Sequence, residues 1–244
     1  FSSPVSGTVT SIVRGAKRRI MEVVITSDSE INYRVFDKVN SDDLSRKQIV
    51  DYMLESGVWP FIRQKPYDII ANQNDTPKAI VISSFNTEPL SADNDFVLHG
   101  LEKEFQSGIQ ILKKLTDGKV HLNVDSNTNP SKVFTDTQGV EINKFSGPHP
   151  SGNVGVQIHH IDPINKGDVV WYLYPHDVLA ISRLFAEGKY DVSRIVALTG
   201  SQVMKPRYYR IIAGASITNM IEDNVKAGDS RFISGSALTG NQIS

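Results

Sequence analysis

Between Ser146 and Pro163 the chain crowds together residues that bind ligands and residues that bend backbone. The run reads Ser146-Gly147-Pro148-His149-Pro150-Ser151-Gly152-Asn153, then Val154-Gly155-Val156-Gln157-Ile158-His159-His160-Ile161-Asp162-Pro163. Gly147, Pro148, Pro150 and Gly152 force turns, and Gly155 is read as allowing a close backbone approach just before an apolar segment. A loop of this kind either holds a ligand or turns a corner, because loops over a rigid scaffold are enriched in function without being defined by it. His149 or His160 can donate a ring N–H to a carbonyl-bearing ligand. The candidate set is therefore Gly147, His149, Ser151, Gly152, Asn153 and His160. His159, His160 and Asp162 are not read as a metal site, since adjacent side chains point to opposite faces of a strand and diverge by roughly 100° on a helix.

Several other chemistries are excluded by residue type. The chain has no cysteine, which removes disulfides, thiol nucleophiles and thiolate-held iron–sulfur clusters from this stretch. Gly235-Ser236-Ala237-Leu238-Thr239-Gly240-Asn241-Gln242 has the glycine spacing of a phosphate loop, but Asn241 and Gln242 stand where Lys and Ser/Thr are needed. Gly147, Gly152 and Gly155 miss the dinucleotide spacing, so no NADH site is expected. No Gly-x-Ser-x-Gly elbow occurs. Trp171, Tyr172 and Tyr174 read as core and strand-face packing rather than cofactor contacts. With 26 Lys and Arg against 27 Asp and Glu, the net charge of −1 gives no electrostatic case for nucleic acid. No apolar run approaches the roughly 20 residues that span a bilayer, so a soluble segment is expected. The opening at Phe1 within a strand-like pattern reads as a piece of a longer protein.

The elements that position the loop follow from periodicity. Val5 to Ile25 predicts a hairpin turning at Arg14-Gly15-Ala16-Lys17, with Lys17-Arg18-Arg19 as a solvated tip. Lys17 lacks the neighbours of a swinging-arm lysine. A helix is predicted over Asp43 to Gly57 with Ile49, Val50, Met53 and Leu54 on its buried face. Lys78 to Phe85 reads as an apolar strand ending at the ligand edge of a parallel sheet. One long helix, started by Asp93 and Asp95 and carrying Val97, Leu101, Phe105, Ile109 and Leu112, then leads to a strand over Lys119 to Val124. Asp168 to Tyr174 is a further strand, followed by a helix from Pro175 to Gly188. Beyond it, Tyr208 to Ile212 and Arg231 to Ser234 read as strands around a helix over Ser216 to Gly228, with no obvious closing element after them.

The Gly147 loop resembles the central segment of the NqrA family, the A subunits of the bacterial sodium-translocating NADH:quinone oxidoreductase. Two further stretches carry the resemblance: Gly188-Lys189-Tyr190-Asp191-Val192-Ser193-Arg194-Ile195-Val196-Ala197-Leu198-Thr199-Gly200, and Lys205-Pro206-Arg207-Tyr208-Tyr209-Arg210-Ile211-Ile212-Ala213-Gly214-Ala215-Ser216. The fold class that pattern and resemblance together imply is α/β. It comprises a Rossmann-like domain over 39–190, a partial barrel-sandwich segment of biotinyl or lipoyl type over 1–38, and a truncated β-grasp, SLBB-like domain over 191–244. The resemblance implies a protein on the cytoplasmic face of the inner membrane, docked on the other subunits of that complex and on its membrane subunits especially. It implies no cofactor in this stretch: NADH, flavin and iron–sulfur clusters belong to other subunits, and ubiquinone is the ligand the loop would meet. The α/β domain also resembles the Rossmann-like domain of the flavin-carrying subunit of respiratory complex I, but lacks that family's Gly-rich flavin loop. A flavin- or NADH-binding oxidoreductase domain and a pure interaction scaffold are the alternatives, separable by visible flavin absorbance and by titration with flavin mononucleotide and NADH.

Overall fold

The structure, a computed structural model, describes residues 2–243. Strands β1 (Gly7–Arg14) and β2 (Ile20–Ser27) form an antiparallel hairpin, as their alternation predicts. At its tip Lys17 and Arg18 adopt positive φ and the whole Lys17-Arg18-Arg19 cluster is exposed. Nearly every residue of the hairpin is exposed, including Val9, Ile12, Met21 and Val23.

Helix α1 (Arg46–Ser56) begins at a capping box in which the Ser45 hydroxyl accepts from the Gln48 N–H, and ends at Gly57 with φ 91°. Ile49, Val50 and Met53 are buried, but Leu54 is 41% exposed, because the buried stripe is narrower than the sequence suggests. The central sheet contains β3 (Arg63–Lys65), β4 (Ile69–Ile70), β5 (Ala79–Ser83), β6 (Lys119–Asp125), β7 (Glu141–Phe145) and β8 (Val170–Leu173). Its order is β4-β3-β8-β5-β6-β7, with β8, β5, β6 and β7 parallel and β3 and β4 an antiparallel edge.

The helix predicted between β5 and β6 is two helices. Asp93 caps α2 (Asn94–Val97), the chain turns through Gly100 at φ 81°, and α3 (Glu102–Lys113) follows. The apolar periodicity runs across the break because Leu98 at the turn is buried as well. Helix α4 (Lys132–Thr135) leads into β7. Helix α5 (Val154–Ile161) lies between β7 and β8, and α6 (Pro175–Glu187) follows β8. Helices α1, α3 and α6 bury Ile49, Phe105, Ile109, Val178 and Leu184 against Ile80, Leu122 and Leu173 in the main core. Helix α5 covers the other face, where Val154 and Ile158 pack on Val81, Val170 and Tyr172. Gly188 caps α6 at φ 70° under the Phe36 carbonyl, where a Cβ would collide.

The remaining residues build small units. Strands β9 (Ser193–Leu198) and β10 (Arg207–Ile212) pair antiparallel, and α7 is only Thr218–Ile221, far shorter than the stretch predicted. Strand β11 (Phe232–Ser234) pairs with β12 (Asn241–Ile243), a closing strand the sequence reading missed. Asn241 and Gln242 are thus strand residues.

Candidate functional site

The parallel strands β5, β6 and β7 end on one edge of the sheet, and the Gly147 loop crosses that edge on its way to α5. Gly147 enters it at φ 131° and its carbonyl accepts from the Ser151 hydroxyl at 2.8 Å. Two tight turns follow, from Ser151 N–H to the Pro148 carbonyl at 2.9 Å and from Asn153 N–H to the Pro150 carbonyl at 2.8 Å. His149 is half-buried in this loop and Asn153 is exposed at the start of α5.

The loop is tied to the chain leaving β5. Gly152 N–H donates to the Thr87 hydroxyl at 3.0 Å, and the Gly152 carbonyl accepts from the Ser83 hydroxyl at 3.4 Å. The same Thr87 hydroxyl pairs with His149 Nδ1 at 3.2 Å. The close approach belongs to Gly152, where a Cβ would meet Thr87 N at 2.6 Å and Oγ1 at 2.8 Å. Gly155, expected to serve that purpose, lies in α5 with nothing within 4 Å of a Cβ.

A second wall rises from the end of β8. Tyr174, 43% exposed, stacks on His176 with centroids 6.0 Å apart and an interplanar angle of 12°. Packing was expected for all three aromatic rings here; Trp171 and Tyr172 are buried, and Tyr174 packs edge-on against Tyr172 while keeping one side exposed. Arg194 fixes the wall by bonding His176 Nε2 at 2.8 Å and Asp177 Oδ1 at 3.1 Å. Asp177 in turn accepts from the Tyr174 N–H at 3.1 Å, closing a capping box on α6. Burial raises the Tyr174 pKa first, and the charges of Asp177, Asp68 and Glu88 raise it further. Burial alone would also raise Glu88, but bonds from Thr239, Asn86 and Ser236, with the His149 charge, hold it below the usual carboxylate range. Glu88 thus stands electrostatically between the Tyr174 wall and the His149 loop, and its Thr239 bond of 2.6 Å reaches the C-terminal unit.

Gly147, His149, Ser151, Gly152 and Asn153 therefore come together, while His160 does not join them. It sits in the last turn of α5 and lines a groove of about 810 Å³ with Lys119, His121, Glu141, Asn143 and Asp162. Its ring meets His159 edge-on at 5.5 Å, and no group of three or more metal-ligating side chains occurs among the described residues. Sequence reading missed Thr87, Glu88, Tyr174, His176 and Arg194. For the first four the available signal was position after a buried strand, since the polar run Asn86-Thr87-Glu88 follows β5 and Tyr174-Pro175-His176-Asp177 follows β8, whereas Arg194 lies within β9. The arrangement can present ring and phenolic N–H and O–H donors to carbonyl oxygens, and no described helix is long and apolar enough to cross a membrane.

Comparison with known families covers nearly the whole chain. Residues 1–28 match the NqrA N-terminal barrel-sandwich hybrid domain, 44–190 the NqrA second alpha/beta domain, and 195–244 the NQRA C-terminal domain. The A subunit of the Na(+)-translocating NADH-quinone reductase of Photorhabdus laumondii is 37% identical over 99% of this chain and 54% of its own length. The relatives of the same name from Pasteurella multocida and Histophilus somni are 36% and 37% identical over 98% and 99% of this chain, again covering 54% of theirs. The chain spans about half the length of these relatives. Two solved structures of an NAD+-reducing [NiFe]-hydrogenase, air-oxidized and H2-reduced, share the fold with TM-scores of 0.56 and 0.51 at 12% and 13% identity. They cover 79% and 74% of this chain and 41% and 39% of those chains.

Proposed function

This chain belongs to the NqrA family, and we propose on that premise that it works within a sodium-pumping NADH:quinone reductase. It supplies docking surface to neighbouring subunits, the membrane subunits among them, at the cytoplasmic face of the bacterial inner membrane. Through the Gly147–Asn153 loop it meets ubiquinone or the protein that carries it. The parent complex moves electrons from NADH to quinone, and the redox carriers lie in other subunits.

We read the middle unit as Rossmann-like and divide the chain at 1–38, 39–190 and 191–244. The parallel strands in the order β7-β6-β5-β8 support this reading, because numbering β5 as first makes the order 3-2-1-4. In such sheets ligands enter the crevice outside the strand ends where the order reverses, here between β5 and β8. The observation that carries the loop's role is its seam to β5: Thr87 holds both Gly152 and His149 at that crevice, so His149 presents its ring from a fixed position.

The test replaces His149 and Asn153 with alanine in the assembled complex. Quinone reduction is expected to fall by roughly 2- to 10-fold, the worth of one hydrogen bond, with assembly intact. Normal turnover would make the loop a corner. Unfolding or failed assembly would make the residues structural or interfacial.

A further inference from the structure

Strand β6, paired on both sides by β5 and β7, carries two unlike faces. Val120, Leu122 and Val124 enter the main core, whereas His121 and Asn123 point to the face shared with α5. Asn123 and Gln157 are both fully buried there. An unpaired buried amide costs about 2–7 kcal/mol, so apolar residues would serve stability better at these positions unless the amides are bonded. They are bonded, and in one direction. Asn143 Nδ2 donates to Asn123 Oδ1 at 3.0 Å, Asn123 Nδ2 donates to Gln157 Oε1 at 2.8 Å, and Gln157 Nε2 donates to the Ser151 carbonyl at 3.3 Å. This relay of amides ends on the candidate loop.

We propose that Gln157, backed by Asn123 and Asn143, is a positioning residue that fixes the Gly147–Asn153 loop over the strand ends. Thr87 clamps the loop at Gly152 and His149, and Gln157 clamps it at Ser151. Asn153 gives α5 no side-chain cap, so these bonds, with Ser83 on the Gly152 carbonyl, hold the junction of loop and helix. The buried amides thus convert the rigidity of β6 into a fixed stance for His149. This inference rests on the loop being the working surface.

The experiment uses the full-length protein in its complex with Gln157→Leu, and with Gln157→Leu combined with Asn123→Leu. The double variant removes both partners of the buried bond, which lessens the stability loss of leaving one of them unpaired. Hydrogen exchange of the loop peptide containing Ser151–Asn153 is expected to accelerate by roughly tenfold in both variants, while peptides from Ala79–Ser83 and Lys119–Asp125 keep their protection. The apparent KM for ubiquinone is expected to rise severalfold with kcat unchanged. Unaltered loop exchange, or acceleration spread evenly over the whole domain, would overturn the positioning role. A loosened loop with normal quinone kinetics would support positioning and overturn the quinone reading instead.

Discussion

His121 shows how a single buried ring can carry pH dependence inside a strand of the central sheet. It is only 5% exposed, and its Nδ1 lies 3.2 Å from Asn143 Nδ2, an amide already donating to Asn123. The neutral ring accepts at Nδ1, whereas a protonated ring would set donor against donor. Burial lowers its pKa below 6.5; Glu141, 3.8 Å away, and Asp162 act to raise it, and Lys119 to lower it. His160 lines the same groove. The unfolded ring binds a proton that the folded one resists, so stability rises with pH across this window. Stability is therefore expected to fall as pH drops below about 6.5 towards the lower folded pKa. His121→Gln keeps an acceptor and removes the titration, so melting temperature measured against pH should show a shallower acid limb than the parent. An unchanged limb would reject this role. The strand over Lys119 to Val124 was legible in the sequence, but the partner that makes His121 an acceptor lies 22 residues away and was not.

At the scale of elements, two glycines of one motif have opposite roles. Sequence reading assigned the close approach to Gly155 because it precedes an apolar run, but that run is α5, and Gly155 stands on its open side. Gly155→Ala is expected to stabilise the fold by up to about 0.5 kcal/mol, since Gly loses more backbone freedom than Ala on entering a helix and Gly155 stands in the first turn, where the gain is smaller than in a helix interior. Gly152→Ala forces a Cβ against Thr87 backbone and is expected to destabilise by about 1–3 kcal/mol. Denaturant titration of both variants checks the pair, and equal effects would refute the assignment. The sequence showed which residues bend the chain without showing what each bend meets. The same limit explains α2 and α3, where buried Leu98 sustains the apolar rhythm across a turn that Gly100 makes. Strand β5 and helices α1 and α6 were legible because their start and stop signals are local.

Across the molecule, burial is unevenly divided. The central sheet and α1, α3 and α6 hold the main core, whereas the β1–β2 hairpin exposes almost every side chain. An isolated two-stranded hairpin is marginally stable in water, because it buries too little to offset chain entropy. After it the chain regains contact with the core where Phe36 N–H bonds the Gly188 carbonyl at 2.9 Å and Val39 N–H bonds the Phe185 carbonyl at 3.2 Å. A polypeptide of this sequence should therefore open first at its hairpin. Limited trypsin digestion is expected to cut at Arg14, Lys17, Arg18 or Arg19 before any site in α1, α3 or α6, because proteases select exposed backbone that opens locally. Mass spectrometry should then find a resistant product that begins before Phe36 and retains the Gly147 loop. First cleavage within 44–190 would mean that the hairpin is held by more than its own two strands, and cleavage after Lys38 would mean that the Phe36–Val39 strap is not docked on α6.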